Sequence, residues 1–448
     1  MIKIEMNNWS KKLLISLVIF TLLPLSAPAQ DENGFPFPTS LYTLKNGLKI
    51  ILSEDFSLPL VSVVVAYHVG SIYERPGKAG LAYLLENLMF QGSRNIGRMQ
   101  HISFIQRIGG TLNAATIEDR TIFYQTVPSN QLALVLWLES DRMKSLEINF
   151  SKVEEAKESL IQEIHHRQET DPYLTSSLVF DQLLYPDFSH NHPVFGQEED
   201  IRNITVADVK NFYADYYTPN NAVLTIVGHL NKRKTLQLIQ KYFSSIPQGK
   251  EITPPPIISP QLQKTIIKTF SSSLASLPAF YLGYQIAPPS SPDYYPLRII
   301  EYILLRGQTS RLYKRLITRQ RIAFDLKGNI EQRRELAAFK IFVISSNEIM
   351  LARSEKAVLS EINKLRSSLV SANELNKAKN MFKMDYINQY ATYLDRAIFL
   401  SENALHHNNL DNLSSELKKY MSVGSSQIIG IMNRYFDQRH VLLKVKLK

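Results

Sequence analysis

Hydrophobic positions along this chain follow two rhythms. Short runs dense in Val, Ile and aromatic residues predict strands over 48–52, 61–68, 111–117, 121–127, 222–228 and 280–284. Longer stretches repeat apolar residues every three or four positions, the spacing that puts them on one face of a helix. Helices are predicted over 80–90, 99–108, 131–144, 153–168, 205–216 and 232–243, and later over 294–305, 351–369, 372–389 and 425–435. Strands alternating with amphipathic helices point to an α+β fold, in which each sheet has helices packed on one face.

A break in texture falls near the middle. Pro247, Gly249, the run Pro254-Pro255-Pro256 and Pro260 can sustain neither a helix nor a central strand, so 248–263 is predicted to link two domains, 31–247 and 264–448. The halves echo each other. Residues 84–92 align with 299–307 at an offset of 215, pairing Glu86 with Glu301, and 223–227 resemble 441–445 at an offset of 218. Near-equal offsets predict a duplicated domain.

The first 29 residues change the picture of where the chain works. Lys11 and Lys12 precede an apolar stretch over 13–23 and the small-residue site Ala27-Pro28-Ala29, the layout of a cleaved signal peptide over 1–29. A retained amphiphilic anchor is the alternative. No later run approaches the roughly 20 apolar residues a bilayer span needs. With no cysteine in 448 residues, neither disulfides nor a lipoprotein thioether can form, and the periplasm is the expected location. The formal charge is +10, or about +8 once the leader's three lysines and one glutamate are removed. Basic residues are scattered except for Arg311, Lys314, Arg315, Arg319 and Arg321, read here as a solvated helix face. No nucleic-acid-binding module is recognisable.

The helix over 80–90 carries the candidate chemistry. Tyr83, Glu86 and Asn87 stand at the spacing of the inverted zinc motif H-x-x-E-H, in which two histidines four residues apart share a helical face beside a glutamate base. Tyr83 and Asn87 occupy the histidine positions, and Glu86 that of the glutamate. Around this helix lie the strand-like run 61–69, Gln91-Gly92-Ser93, Gly109-Gly110-Thr111-Leu112-Asn113, Gln162-Glu163-Ile164, Tyr217-Thr218-Pro219-Asn220-Asn221 and Ser310-Arg311-Leu312-Tyr313. From about residue 40 to the C-terminus the chain thus resembles the pitrilysin/insulinase family of zinc metallopeptidases.

The resemblance implies two homologous pitrilysin-like, processing-peptidase-like domains. It implies that Glu163 stands where the family keeps its third zinc ligand, and that Ala156 replaces an auxiliary glutamate. Ile317 and Phe324 replace an arginine and a tyrosine that approach the substrate, and Asn113, Ala114, Ala115 and Thr116 match the sheet edge to which an extended peptide adds.

Zinc prefers nitrogen and sulfur donors, whereas Tyr83, Glu86, Asn87 and Glu163 offer oxygen and an amide. Glu86 is therefore expected to be a vestigial general base, Glu163 a vestigial ligand, and no cofactor is expected. His166, three residues beyond Glu163, is the candidate for an unorthodox ligand. Glu86 also has a structural reading as a buried carboxylate, with Tyr83 or Asn87 supplying donors. The leading expectation is a non-catalytic subunit that binds peptide or unfolded polypeptide, or completes a peptidase chamber as a hetero- or homodimer with another family member. A zinc endopeptidase with unusual ligands and a structural subunit of an envelope complex are the alternatives.

Overall fold

The computed structural model describes residues 36–448 except 186, 254, 256–261, 334–335, 407–409, 411–412 and 438. The predicted leader over 1–29, and residues 254 and 256–261 of the Pro-rich stretch, lie outside the described residues. The first half contributes β1 (Ser40–Thr43), β2 (Lys49–Glu54), β3 (Leu60–Tyr67), β4 (Thr111–Thr116), β5 (Thr121–Pro128) and β6 (Ala222–Gly228), ordered β1-β2-β6-β3-β5-β4. The second contributes β7 (Ile266–Ser272), β8 (Ala279–Ile286), β9 (Asp325–Arg333), β10 (Leu336–Ile344) and β11 (Val441–Leu447), ordered β7-β11-β8-β10-β9.

Without β1 the two orders coincide strand for strand. In each, the first pair is parallel (β2 with β6, β7 with β11) and the other pairs are antiparallel. The sequence echo falls on Leu81–Leu88 and Tyr294–Leu304, helices that follow the central strands β3 and β8. The duplication is thus written in the topology.

Strand alternation sorts side chains into separate cores. On β3, Val61, Val63, Val65 and Tyr67 pack with the helices of the first half, while Val64 and Ala66 face a core shared with the second half. On β8, Phe280, Leu282 and Tyr284 join that shared core, and Ala279 and Tyr281 turn to the opposite face. Full burial of each such aliphatic side chain contributes roughly 1.5–3 kcal/mol.

Each sheet's second face is closed by a helix from the other half. Tyr393–His406 lies across β3 and β6. Ser401 there donates to Thr225 Oγ1 at 2.8 Å, and Arg396 pairs with Asp55 at 3.0 Å. In return, Leu174–Leu184 lies against β8 and β11. Phe180 stacks on Tyr281 with centroids 5.2 Å apart, and the Leu184 carbonyl accepts from Gln285 Nε2 at 2.8 Å. Gly283 permits this contact, because a Cβ there would lie 2.6 Å from Phe180 Cζ. The sequence reading has neither exchanged helix, nor β1, β7, β9 and β10. Among the described residues no helix is long and apolar enough to cross a membrane.

Candidate functional site

The helix Leu81–Leu88 is fixed at its first turn by a remote carboxylate. Glu74 accepts from the amides of Gly80 at 2.8 Å and Ala82 at 2.7 Å, taking donors that a helix start leaves without intrahelical partners. His192 Nε2 lies 2.9 Å from the same carboxylate. Burial raises the Glu74 pKa against the opposing pull of His192 and the helix amides. For His192, burial pulls the pKa down, but the hydrogen bond and charge of Glu74 outweigh it and hold it above its ordinary value. Gly80 has φ +92° and its Cα position faces Gly196, whose Cα a Cβ would approach to 2.9 Å, so glycine is required at this crossing.

This clasp sets Tyr83 and Glu86 toward the long helix Phe150–Thr170 and the edge strand β4. Tyr83 Oη donates to Glu163 Oε1 at 3.0 Å. The same oxygen receives Nε of Arg167 at 3.0 Å and its Nη2 at 2.5 Å, and Nη2 also lies 3.3 Å from Tyr83 Oη. Phe195 covers the guanidinium, with its ring centroid 5.1 Å away. Burial and the Glu163 charge push the Tyr83 hydroxyl up to about 12, so it stays a donor at neutral pH. Burial lowers the Arg167 pKa, but the Glu163 hydrogen bond and charge outweigh this and leave it raised. Arg167 is therefore a permanent cation at Glu163.

Glu86 takes a different partner. Thr116 Oγ1 donates to its Oε2 at 2.5 Å, tying the helix to β4. Burial raises the Glu86 pKa, the Thr116 bond opposes this, and the nearby Glu163 charge adds to it. Asn87 is exposed and donates to the Tyr83 carbonyl at 3.1 Å, so it folds back onto its own helix. The expectation that Tyr83 or Asn87 serves Glu86 is therefore corrected: Thr116 serves it. The matching Glu301 is fully buried and held by Arg298 at 2.5 Å and Arg306 at 2.7 Å, a structural carboxylate.

These side chains do not fit a zinc ion. Glu163, the one carboxylate at a ligand position, is already occupied by a hydroxyl and a guanidinium, and the Asn87 amide points elsewhere. His165 pairs with Glu198 at 2.7 Å, and His166 is exposed. Among the described residues, no group of three or more His, Asp or Glu side chains is placed to hold a metal. Ala156 is buried in the first-half core. Ile317 sits half-buried in a π-helical turn, and Phe324 is 75 % exposed.

Asn113, Ala114, Ala115 and Thr116 do share a sheet edge. β4 pairs with β5 on one side and with no strand on the other among the described residues. Asn113 is exposed, Ala114 and Ala115 half-buried and Thr116 buried; Asn113 Oδ1 accepts from the Ala114 amide at 2.9 Å. The sequence reading missed Arg167, although its distance of four residues from Glu163 is the spacing of a helical ion pair. It also missed the Glu74–His192 pair, which no local spacing announces.

Two family models match the chain: "Insulinase (Peptidase family M16)" over 49–194 and "Peptidase M16 inactive domain" over 203–382. The chain is similar to the zinc protease PqqE of Helicobacter pylori, 26% identical over 96% of this chain and 97% of that one. It is also similar to the mitochondrial-processing peptidase subunit beta of Lentinula edodes, 24% identical over 88% and 89%. A crystal structure of a protease from Helicobacter pylori superposes with a TM-score of 0.85 at 25% identity, over 92% of this chain and all of that one. The periplasmic protease PqqL from Escherichia coli shares the fold with a TM-score of 0.74 at 16% identity, over 92% of this chain and 48% of that one. With matched topology in both halves and family models on each, the chain belongs to the insulinase family, peptidase family M16.

Proposed function

We propose that this chain is a non-catalytic member of its family, a periplasmic subunit that binds extended peptide and completes a peptidase chamber with another family member. The cluster of Tyr83, Arg167 and Glu163 carries the reading. Cleavage in a zinc peptidase requires a metal-bound water and a base to deprotonate it. Here Arg167, a cation of the protein's own, is paired with Glu163 at the third ligand position, and Glu86 is engaged by Thr116 with its pKa raised. Glu86 is thus a vestigial base and Glu163 a vestigial ligand.

Peptide capture needs none of that chemistry. An unpaired strand edge offers main-chain donors and acceptors to an extended chain, and small side chains such as Ala114 and Ala115 allow close approach. The similarity to a processing-peptidase subunit supports pairing, and the leader pattern together with the periplasmic structural neighbour supports export.

Purified full-length chain is expected to contain no stoichiometric zinc, to leave a peptide library uncut and to bind extended peptides. It is expected to co-purify from the envelope with a zinc-bearing family member. Chelator-sensitive turnover by the chain alone would overturn the reading.

A further inference from the structure

The sequence cluster of basic residues over 311–321 does not form a flat solvated face. Leu312 and Leu316 are fully buried, and the segment Lys314–Arg319 is a π-helix, shown by the amide of Gln320 donating to the Arg315 carbonyl five residues back at 3.0 Å. In a regular helix, residues five apart point away from each other; the wider π turn brings Lys314 and Arg319 toward one side. There they line a cleft of about 830 Å³ with Arg311, Arg315, Lys364 and Lys377. The last two come from the helices Glu348–Ser367 and Ala372–Asn388.

Two carboxylates share this cleft, and both are engaged. Glu374 takes Arg311 in a bidentate pair at 2.8 and 2.7 Å. Glu361 takes Arg315 at 2.5 Å and Lys364 at 3.0 Å. Lys377 donates instead to the Thr309 carbonyl and hydroxyl, at 2.9 and 3.1 Å. Neither Lys377 nor Lys314 nor Arg319 has a carboxylate within 4 Å among the described residues. Burial and then the Lys314 charge lower the Lys377 pKa, against the opposing charge of Glu374. The N-terminal turn of Ala372–Asn388, capped by Ser371, opens on the same cleft and adds to its positive field.

The geometry points to a binding site for an acidic peptide segment in this cleft, with Lys314, Arg319 and Lys377 taking its carboxylates. Carboxylate is the chemistry the cleft already displays, since Arg311 and Arg315 hold Glu374 and Glu361 there. The three cations without a carboxylate partner sit on two elements, Lys314 and Arg319 on the π-helical turn and Lys377 on Ala372–Asn388, a spread that suits successive side chains of an extended segment better than one compact phosphate. The choice of a peptide ligand rests on the peptide-capture reading, but the cleft and β4 are different residues and can be tested apart.

The test uses the full chain and two labelled peptides of equal length, one rich in Glu and one with Gln at the same positions, followed by fluorescence anisotropy. The Glu peptide is expected to bind roughly tenfold tighter, a preference of the size several partly screened ion pairs supply, and to lose that advantage as salt rises. Lys314→Glu with Arg319→Glu should abolish the preference and leave the Gln peptide's affinity unchanged. Lys314→Gln with Arg319→Gln serves if charge reversal disturbs the fold. Equal affinities in the native chain, or a preference that survives both double variants, would overturn the proposal. So would displacement of the Glu peptide by tripolyphosphate more readily than by unlabelled Glu peptide. Ala114→Pro, at an amide that faces the open edge of β4, separates the two readings: a Glu preference that persists while binding of the Gln peptide is unchanged would sink capture at the edge and leave the cleft standing.

Discussion

On Oε1 of Glu163 three donors converge, Tyr83 Oη and the Nε and Nη2 of Arg167. Restoring the motif's histidines is therefore not enough to restore a metal. Tyr83→His with Asn87→His is expected to remain without stoichiometric zinc after dialysis, because Arg167 still neutralises the carboxylate. Adding Arg167→Ala to that pair should bring uptake close to one ion per chain, read by elemental analysis. Equal zinc in the double and triple variants would show that Arg167 is no obstacle. Glu86 makes a prediction of its own. Its folded-state pKa lies above the ordinary 4.5, so the folded chain binds this proton more tightly than the unfolded chain. Stability present below pH 4.5 is then lost as pH rises through the raised value. Glu86→Gln does not titrate and should gain on the native chain across that window, with the two converging in acid; urea unfolding at several pH values checks it.

At the scale of elements, the exchanged helices are held by ordinary core contacts, and cutting one out should cost what such contacts cost. Phe180→Ala or Leu400→Ala, each removing a buried side chain, is expected to destabilise the chain by about 3 kcal/mol, within the range of large-to-small core changes. Gly283→Ala should weaken the same contact as Phe180→Ala, by crowding rather than by a cavity, and thermal melts of the two variants compare them. Ala114→Pro removes a backbone donor that faces away from β5 at the open edge and is expected to weaken capture of a neutral extended peptide. Much of this scale was legible in the sequence. The central strands β3 and β6 and the helix Leu81–Leu88 follow their apolar patterns to within a residue or two. The exchanged helix Leu174–Leu184 was not legible, because its apolar residues answer to β8 and β11 far along the chain and leave little one-sided pattern. β9, with Asp325, Lys327, Glu331 and Arg333, looks polar because an edge strand carries charge and because two of those charges are spent in ion pairs with Lys340 and Asp181. At the site, Glu163 could be found from its neighbours in sequence; the partner of Glu86 could not, since Thr116 meets it only once β4 is folded against the helix.

Across the whole molecule, the two halves are interlocked rather than merely adjacent. Residues 36–247 alone would leave β3 and β6 without Tyr393–His406 and would expose Leu174–Leu184 without its sheet. The chain is expected to unfold in one cooperative transition, with calorimetric and van't Hoff enthalpies agreeing, and either half expressed alone should be insoluble or loosely packed. Two resolved transitions would show that the exchange couples the halves weakly. The clasp at Glu74 carries a further consequence. Because the Glu74 carboxylate and the His192 imidazole fasten the start of Leu81–Leu88, the helix is expected to stay moored in EDTA. The mooring of this helix thus belongs to the frame, independent of what side chains stand at positions 83 and 87.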